Sequence, residues 1–97
     1  MITEIAIFQA VPGKEEAFAQ GIQQGIAAIR RDAGCRSAAV QRCIEDPARF
    51  MLVIQWESLE AHTEGFRKSP GFAEYRSHIT GLFVDNPVVH HYEALNA

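Results

Sequence analysis

The chain has 97 residues, 47% of them hydrophobic and 22% charged, with a formal net charge of −3. That length fits one domain over residues 1–97, whose single core buries roughly 60 to 65% of the unfolded surface, and the apolar share is rich enough to leave a partner surface. The nine Lys and Arg residues are scattered, which argues against nucleic acid as a partner. No apolar run reaches the roughly 18 residues of a membrane span and Met1-Ile2-Thr3-Glu4 is no leader, so a soluble cytoplasmic protein with no membrane partner is expected.

In chain order, Ile2 to Val11 is apolar with Thr3, Glu4 and Gln9 interspersed and stops at Pro12-Gly13, a first strand and its turn. Lys14-Glu15-Glu16 opens a helix in which Phe18, Ile22, Ile26 and Ile29 form one apolar stripe. Gly21 and Gly25 beside it let the helix approach the sheet or a ligand closely. Asp32-Ala33-Gly34 ends that helix. A second strand follows over Ser37–Glu45, and Glu45-Asp46-Pro47-Ala48 turns the chain back into the strand Phe50–Glu57, giving an antiparallel hairpin. Five consecutive apolar residues, Phe50 to Ile54, fit a strand covered on both faces. Ser58 caps a helix over Leu59–Arg67 whose first turn carries Glu60. Ser69-Pro70 starts a third helix with Phe72, Tyr75, Ile79, Leu82 and Phe83 as its buried stripe. Asp85-Asn86-Pro87 interrupts the chain, and Val88–Leu95 supplies the last strand.

The order β-α-β-β-α-α-β predicts an α+β fold of the ferredoxin-like, split βαβ kind, with a four-stranded antiparallel sheet and its helices on one face. The strands are nevertheless apolar on both alternate sets: Ile5 and Ile7 oppose Ala6 and Phe8, and Met51 and Val53 oppose Leu52 and Ile54. A second copy of the chain across a two-fold axis covers the bare face most simply, so a homodimer in the form of a dimeric α/β barrel is expected. Cys35 and Cys43, about 26 Å apart if both lie on one strand at roughly 3.3 Å per residue, are expected to be reduced thiols.

The sequence holds no dinucleotide fingerprint, phosphate loop, His-Glu-x-x-His pair or nucleophile elbow, so no cofactor is expected. Neighbours on a strand, His90 and His91 point to opposite faces and cannot share one ion within a chain, and neither His62 nor His78 stands at ligand spacing to them; no metal is expected. His62 falls with Leu59 and Phe66 at i, i+3 and i+7, which turns the imidazole toward the sheet. There it is either a neutral core histidine bonded to a carbonyl or to Glu57, or a general base. Trp56 is a core aromatic, or a flat wall for a planar substrate, or both. Arg76 flanks the third helix's stripe and either reaches solvent or turns inward to an anion; Tyr75 belongs to the stripe.

The run Phe50 to His62 followed by Ser69-Pro70-Gly71-Phe72-Ala73-Glu74-Tyr75 resembles the antibiotic biosynthesis monooxygenase family over essentially the whole chain. The resemblance implies the same dimeric barrel. In the anthrone-type oxygenases of that family a Trp ends the third strand, a polar aromatic follows six residues later and an Arg twenty residues later, and these contact the polyketide. Trp56, His62 and Arg76 stand at those positions. Leu52 stands where those enzymes have Asn, and His62 where they have Tyr. The haem-degrading branch is not matched, since Arg76 occupies the place of its axial His. The expected function is a cofactor-independent monooxygenase of a small aromatic, quinol-like or polyketide substrate, with His62 and Arg76 catalytic and Trp56, Tyr75, Leu52 and Phe66 holding the substrate. The alternatives are a proton-transfer isomerase and a non-catalytic, dimeric ligand-binding module.

Overall fold

The computed structural model describes residues 1–95. Strand β1 (Ile2–Ala10), helix α1 (Glu15–Arg30), strands β2 (Cys35–Arg42) and β3 (Arg49–Trp56), a π turn (Ala61–Gly65), a 3-10 turn (Phe66–Lys68), helix α2 (Pro70–Ser77) and strand β4 (Phe83–Glu93) follow in that order. The sheet runs β2-β3-β1-β4 and every pairing is antiparallel, the expected ferredoxin-like α+β arrangement.

Alternation sorts the strands' side chains. Ala6, Phe8 and Ala10 of β1 and Phe50, Leu52, Ile54 and Trp56 of β3 are buried under the helices, and Phe18, Ile22, Ile26 and Ile29 of α1 bury against them. At the Pro12-Gly13 turn Gly13 adopts φ 86°, open to glycine at little cost. The bare face carries Ile5, Ile7, Met51 and Val53, only half covered, with Val88 55% and Tyr92 53% exposed.

Several local expectations change. The segment expected as one helix over Leu59–Arg67 is mostly a π turn running into a 3-10 turn. Ser58 Oγ accepts from the Ala61 N–H at 3.1 Å, as a cap should, but Leu59 is 42% exposed and does not share the buried side of His62 and Phe66. Helix α2 ends at Ser77, so Ile79, Leu82 and Phe83 belong to the turn and strand beyond it. β4 starts at Phe83 rather than Val88. Its register slips between Ile7 and Gln9 of β1, leaving Asp85-Asn86-Pro87 in a bulge opposite Phe8, with Asp85 at φ 58°. Proline is tolerated there because β4 is an edge strand and a bulge releases its missing donor from the ladder.

The glycines beside the α1 stripe face α2 and not the sheet. A Cβ on Gly21 would lie 2.2 Å from the His78 carbonyl oxygen, and one on Gly25 3.0 Å from that of Tyr75. Gly34 has no positive φ; its missing side chain makes room for Ala61, whose Cβ would be 2.7 Å from an added methyl.

Candidate functional site

The chemistry gathers where β1, β3 and β4 pass beneath the π turn. Glu4 shares the buried alternate set of β1 with Ala6 and Phe8. It is 5% exposed, an acid where the pattern calls for an apolar side chain. The Trp56 indole and the His62 ring account for it. Trp56 Nε1 donates to Glu4 Oε1 at 2.8 Å, and His62 Nε2 lies 3.3 Å from the same oxygen. Glu4 Oε2 makes no hydrogen bond with the described residues.

His62 is 3% exposed and both of its nitrogens are engaged, because Nδ1 lies 2.7 Å from His91 Nε2. Its ring stacks on Trp56 with centroids 5.1 Å apart and planes at 12°, and Phe66 packs on Trp56 at 5.5 Å. The π turn makes this reach feasible. By crowding against the bare backbone of Gly34, it brings His62 down onto the strand pair, and a single π turn is a frequent device at functional sites.

Burial pushes the Glu4 carboxyl up from its ordinary range, partly opposed by the Trp56 hydrogen bond and the Arg67 charge. Burial also pulls the His62 imidazole down to about 4, helped by the charges of Arg67 and His91. His91, half-buried, is lowered for the same leading reason. The uncharged forms are thus favoured along the row. Burial drives the Tyr75 hydroxyl upward as well.

Beside this row is a cavity of about 60 Å³, walled by Glu4, Leu52, His62, Phe66, Tyr75 and Arg76 among others, with Pro87 and Val89 of β4 and the exposed Arg67 on its outer side. Arg76 turns inward. Its guanidinium lies over Phe72 and Phe83 at 5.8 and 5.4 Å, and its Nε is buried without a partner. An unpaired guanidinium donor beside an apolar cavity is a place for an anionic oxygen.

Five of the six expected site residues, His62, Arg76, Tyr75, Leu52 and Phe66, therefore meet on one cavity. Trp56 is not on its wall; fully buried, it stands behind Glu4 and His62. Glu57, named as a partner for His62, pairs with Arg36 at 2.9 Å instead. Sequence reasoning passed over Glu4 and the inward turn of His91. The available signal was Glu4's place in the alternate set Glu4, Ala6, Phe8, Ala10, where a charge has no solvent to meet. Among the described residues no group of three metal-ligating side chains converges, and no helix is long and apolar enough to cross a membrane. Cys35 and Cys43 are free thiols.

The profile of the antibiotic biosynthesis monooxygenase family matches residues 1–77. A crystal structure from Bordetella bronchiseptica, provisionally assigned to the antibiotic biosynthesis monooxygenases, is 37% identical and superposes with a TM-score of 0.90 over 98% of this chain and 97% of that one. PA3566 from Pseudomonas aeruginosa, 24% identical, shares the fold with a TM-score of 0.83 over 98% of this chain and 94% of its own. The uncharacterized protein YczJ of Bacillus subtilis strain 168 is 29% identical over 93 residues, covering 96% of this chain and 98% of that protein.

Proposed function

The chain belongs to the antibiotic biosynthesis monooxygenase family, and from that premise we propose that it is a cofactor-independent monooxygenase of a small aromatic or quinol-like substrate. The observation that carries the proposal is the cavity on which a buried acid–base pair, Glu4 with His62, and the unpartnered Arg76 Nε converge. The pair removes a proton from a phenol or an activated methylene, and Arg76 holds the oxygen on which the negative charge settles. Trp56 fixes the pair from behind. Dioxygen then adds to the carbanion, and the peroxide loses water as the second C–H proton leaves. A methylene becomes a carbonyl, giving up the four electrons that dioxygen accepts, so no outside reductant enters.

The volume sets a limit on the substrate. A cavity that takes up benzene is about 150 Å³, so about 60 Å³ admits the reacting edge of a ring and leaves the remainder outside, past Arg67. The same volume favours a second reading, an isomerase that moves a proton on a small polar metabolite. In either case a second copy of the chain covers the bare sheet face of Ile5, Ile7, Met51, Val53, Val88 and Tyr92, and sedimentation as a monomer at micromolar concentration would remove that part.

Oxygen uptake with 1,8-dihydroxyanthrone as the probe tests the chemistry. The oxygenase reading expects uptake, a new carbonyl labelled from ¹⁸O₂, and a raised KM in Arg76→Gln. Proton exchange at the probe's C10 without oxygen uptake would sink the oxygenase and leave the isomerase.

A further inference from the structure

His62 stands between two hollows. On one side is the buried cavity, which Glu4 lines. On the other is a surface hollow of about 270 Å³, open to solvent, formed by Ile2, Leu59, His91, Tyr92 and Glu93. The side chains linking them follow one another: Glu4 Oε1 is in polar contact with His62 Nε2 at 3.3 Å, and His62 Nδ1 is hydrogen-bonded to His91 Nε2 at 2.7 Å. The Trp56 N–H holds Oε1 in place, so Oε2 is the carboxyl oxygen left for a ligand. Each link joins two groups that can both give and accept a proton, and a histidine that merely needed satisfying would be served by a backbone carbonyl.

We infer that Glu4, His62 and His91 form a proton relay joining the buried cavity to the surface hollow, with Glu4 as the group that exchanges a proton with the substrate and His91 as the outlet to water. This inference rests on the proton-transfer part of the proposed function and is independent of oxygen.

The step balances as a concerted shift. The Glu4 O–H bond breaks as a His62 Nε2–H bond forms, the His62 Nδ1–H bond breaks as a His91 Nε2–H bond forms, and His91 Nδ1 releases its proton to water. Both imidazoles begin and end neutral with exchanged tautomers, and Glu4 is left as a carboxylate able to take the substrate's proton at Oε2. No cation has to reside on the buried His62. The charged and titratable groups facing the row favour this outcome. Arg67 of the 3-10 turn, on the cavity wall, stabilises the carboxylate, Arg76 of α2 stands on the same wall, and Tyr75 of α2 stays neutral. From β4, the adjacent His90 adds to the charge that disfavours a His91 cation. Ile2, His91 and Glu93 of the hollow lie on the helix side of the sheet, and Tyr92 belongs to the bare face.

Two measurements test the relay. In ligand-free protein labelled with ¹⁵N-histidine, His62 is expected to show ring shifts averaged between its two neutral tautomers and a coupling from Nδ1 to His91 Nε2 across the hydrogen bond. Glu4→Gln, which still accepts from Trp56, is expected to freeze one tautomer. A single fixed tautomer in the wild type, or an imidazolium at pH 7, would overturn the relay whatever the substrate proves to be. In His91→Gln an amide N–H replaces the imidazole donor but cannot pass a proton on. Exchange of the C10 protons of 1,8-dihydroxyanthrone under nitrogen is expected to fall about 100-fold in weak buffer and to recover with added imidazole. A wild-type rate that exchanges, with no loss in His91→Gln, would overturn it. A wild type that exchanges nothing would count against the proposed function and leave the spectra to decide the relay.

Discussion

The two ends of the helix-covered sheet face are built from the same strands and do opposite things. At one end Phe8 of β1 and Phe50 of β3 close around Phe18 of α1 and Phe83 of β4, with ring centroids 4.8 to 6.3 Å apart, and the space is filled. At the other end β1 contributes Glu4 and β3 contributes Trp56, the helical layer contributes His62 and Arg76, and a cavity remains. Packing density stabilises the first end, whereas the second carries a buried acid, a buried imidazole and an unpaired guanidinium nitrogen, each of which costs stability. Stability and chemistry thus divide along single strands a few residues apart, meeting at Phe8 on the cavity wall and at Phe83 under Arg76.

The largest effect belongs to the filled end. Phe18→Ala removes the ring at the centre of the aromatic cluster and is expected to cost about 4 kcal/mol in urea denaturation, while leaving the His62 ring shifts unchanged. Shifted His62 resonances would show that the two ends are coupled.

Acid titration probes the polar end. Burial holds the His62 imidazole neutral, down at about 4 from 6.5, so its contribution is complete above pH 6.5 and is lost as pH falls toward 4, about 3 kcal/mol at most. Glu4 acts in the opposite sense. Its raised carboxyl contributes below pH 4.5, and that contribution is lost as pH rises through the raised value. In the wild type the two partly cancel. Glu4→Gln removes one of them and is expected to lose more stability than the wild type between pH 7 and pH 4, read from urea midpoints. Parallel curves for the two proteins would contradict the assignment.

Between the ends, Gly21→Ala drives a methyl to 2.2 Å from the His78 carbonyl oxygen and is expected to cost about 2 kcal/mol, because backbone yields less readily than a side chain. A neutral result would mean that α2 shifts freely, and with it the Arg76 wall of the cavity. The smallest effect is at the surface. Glu74→Ala breaks an exposed pair with Arg31 at 2.5 Å and is expected to change stability by less than about 0.5 kcal/mol.

The filled end was legible in the sequence because its signals are periodic: the stripe Phe18, Ile22, Ile26, Ile29 and the alternating apolar positions of β1 and β3 have direct counterparts in the buried set. The polar end was legible only in part. His62 and Arg76 stood out by residue type and spacing, but an acid on a strand reads locally as a solvated side chain. What places Glu4 inside is the register that sets Ile2 opposite Trp56 and Glu4 opposite His91, contacts separated by more than fifty residues and by more than eighty. The π turn was hidden for a related reason. Its hydrogen-bond pattern follows from tertiary crowding of Ala61 on Gly34, which helical periodicity does not encode. The bulge in β4 reads in the sequence as a chain break ahead of a strand at Val88, because Asp85-Asn86-Pro87 carries the residues of both a break and a bulge.

The most direct test of the central claim, that the polar end exists for proton transfer, is the rate of deuterium exchange at C10 of 1,8-dihydroxyanthrone under nitrogen in Glu4→Gln against wild type. Thermal unfolding of both proteins at pH 7 serves as the control for folding. The account predicts a fall of at least about 100-fold with an unfolding midpoint close to that of the wild type. An undiminished exchange rate in Glu4→Gln would contradict it.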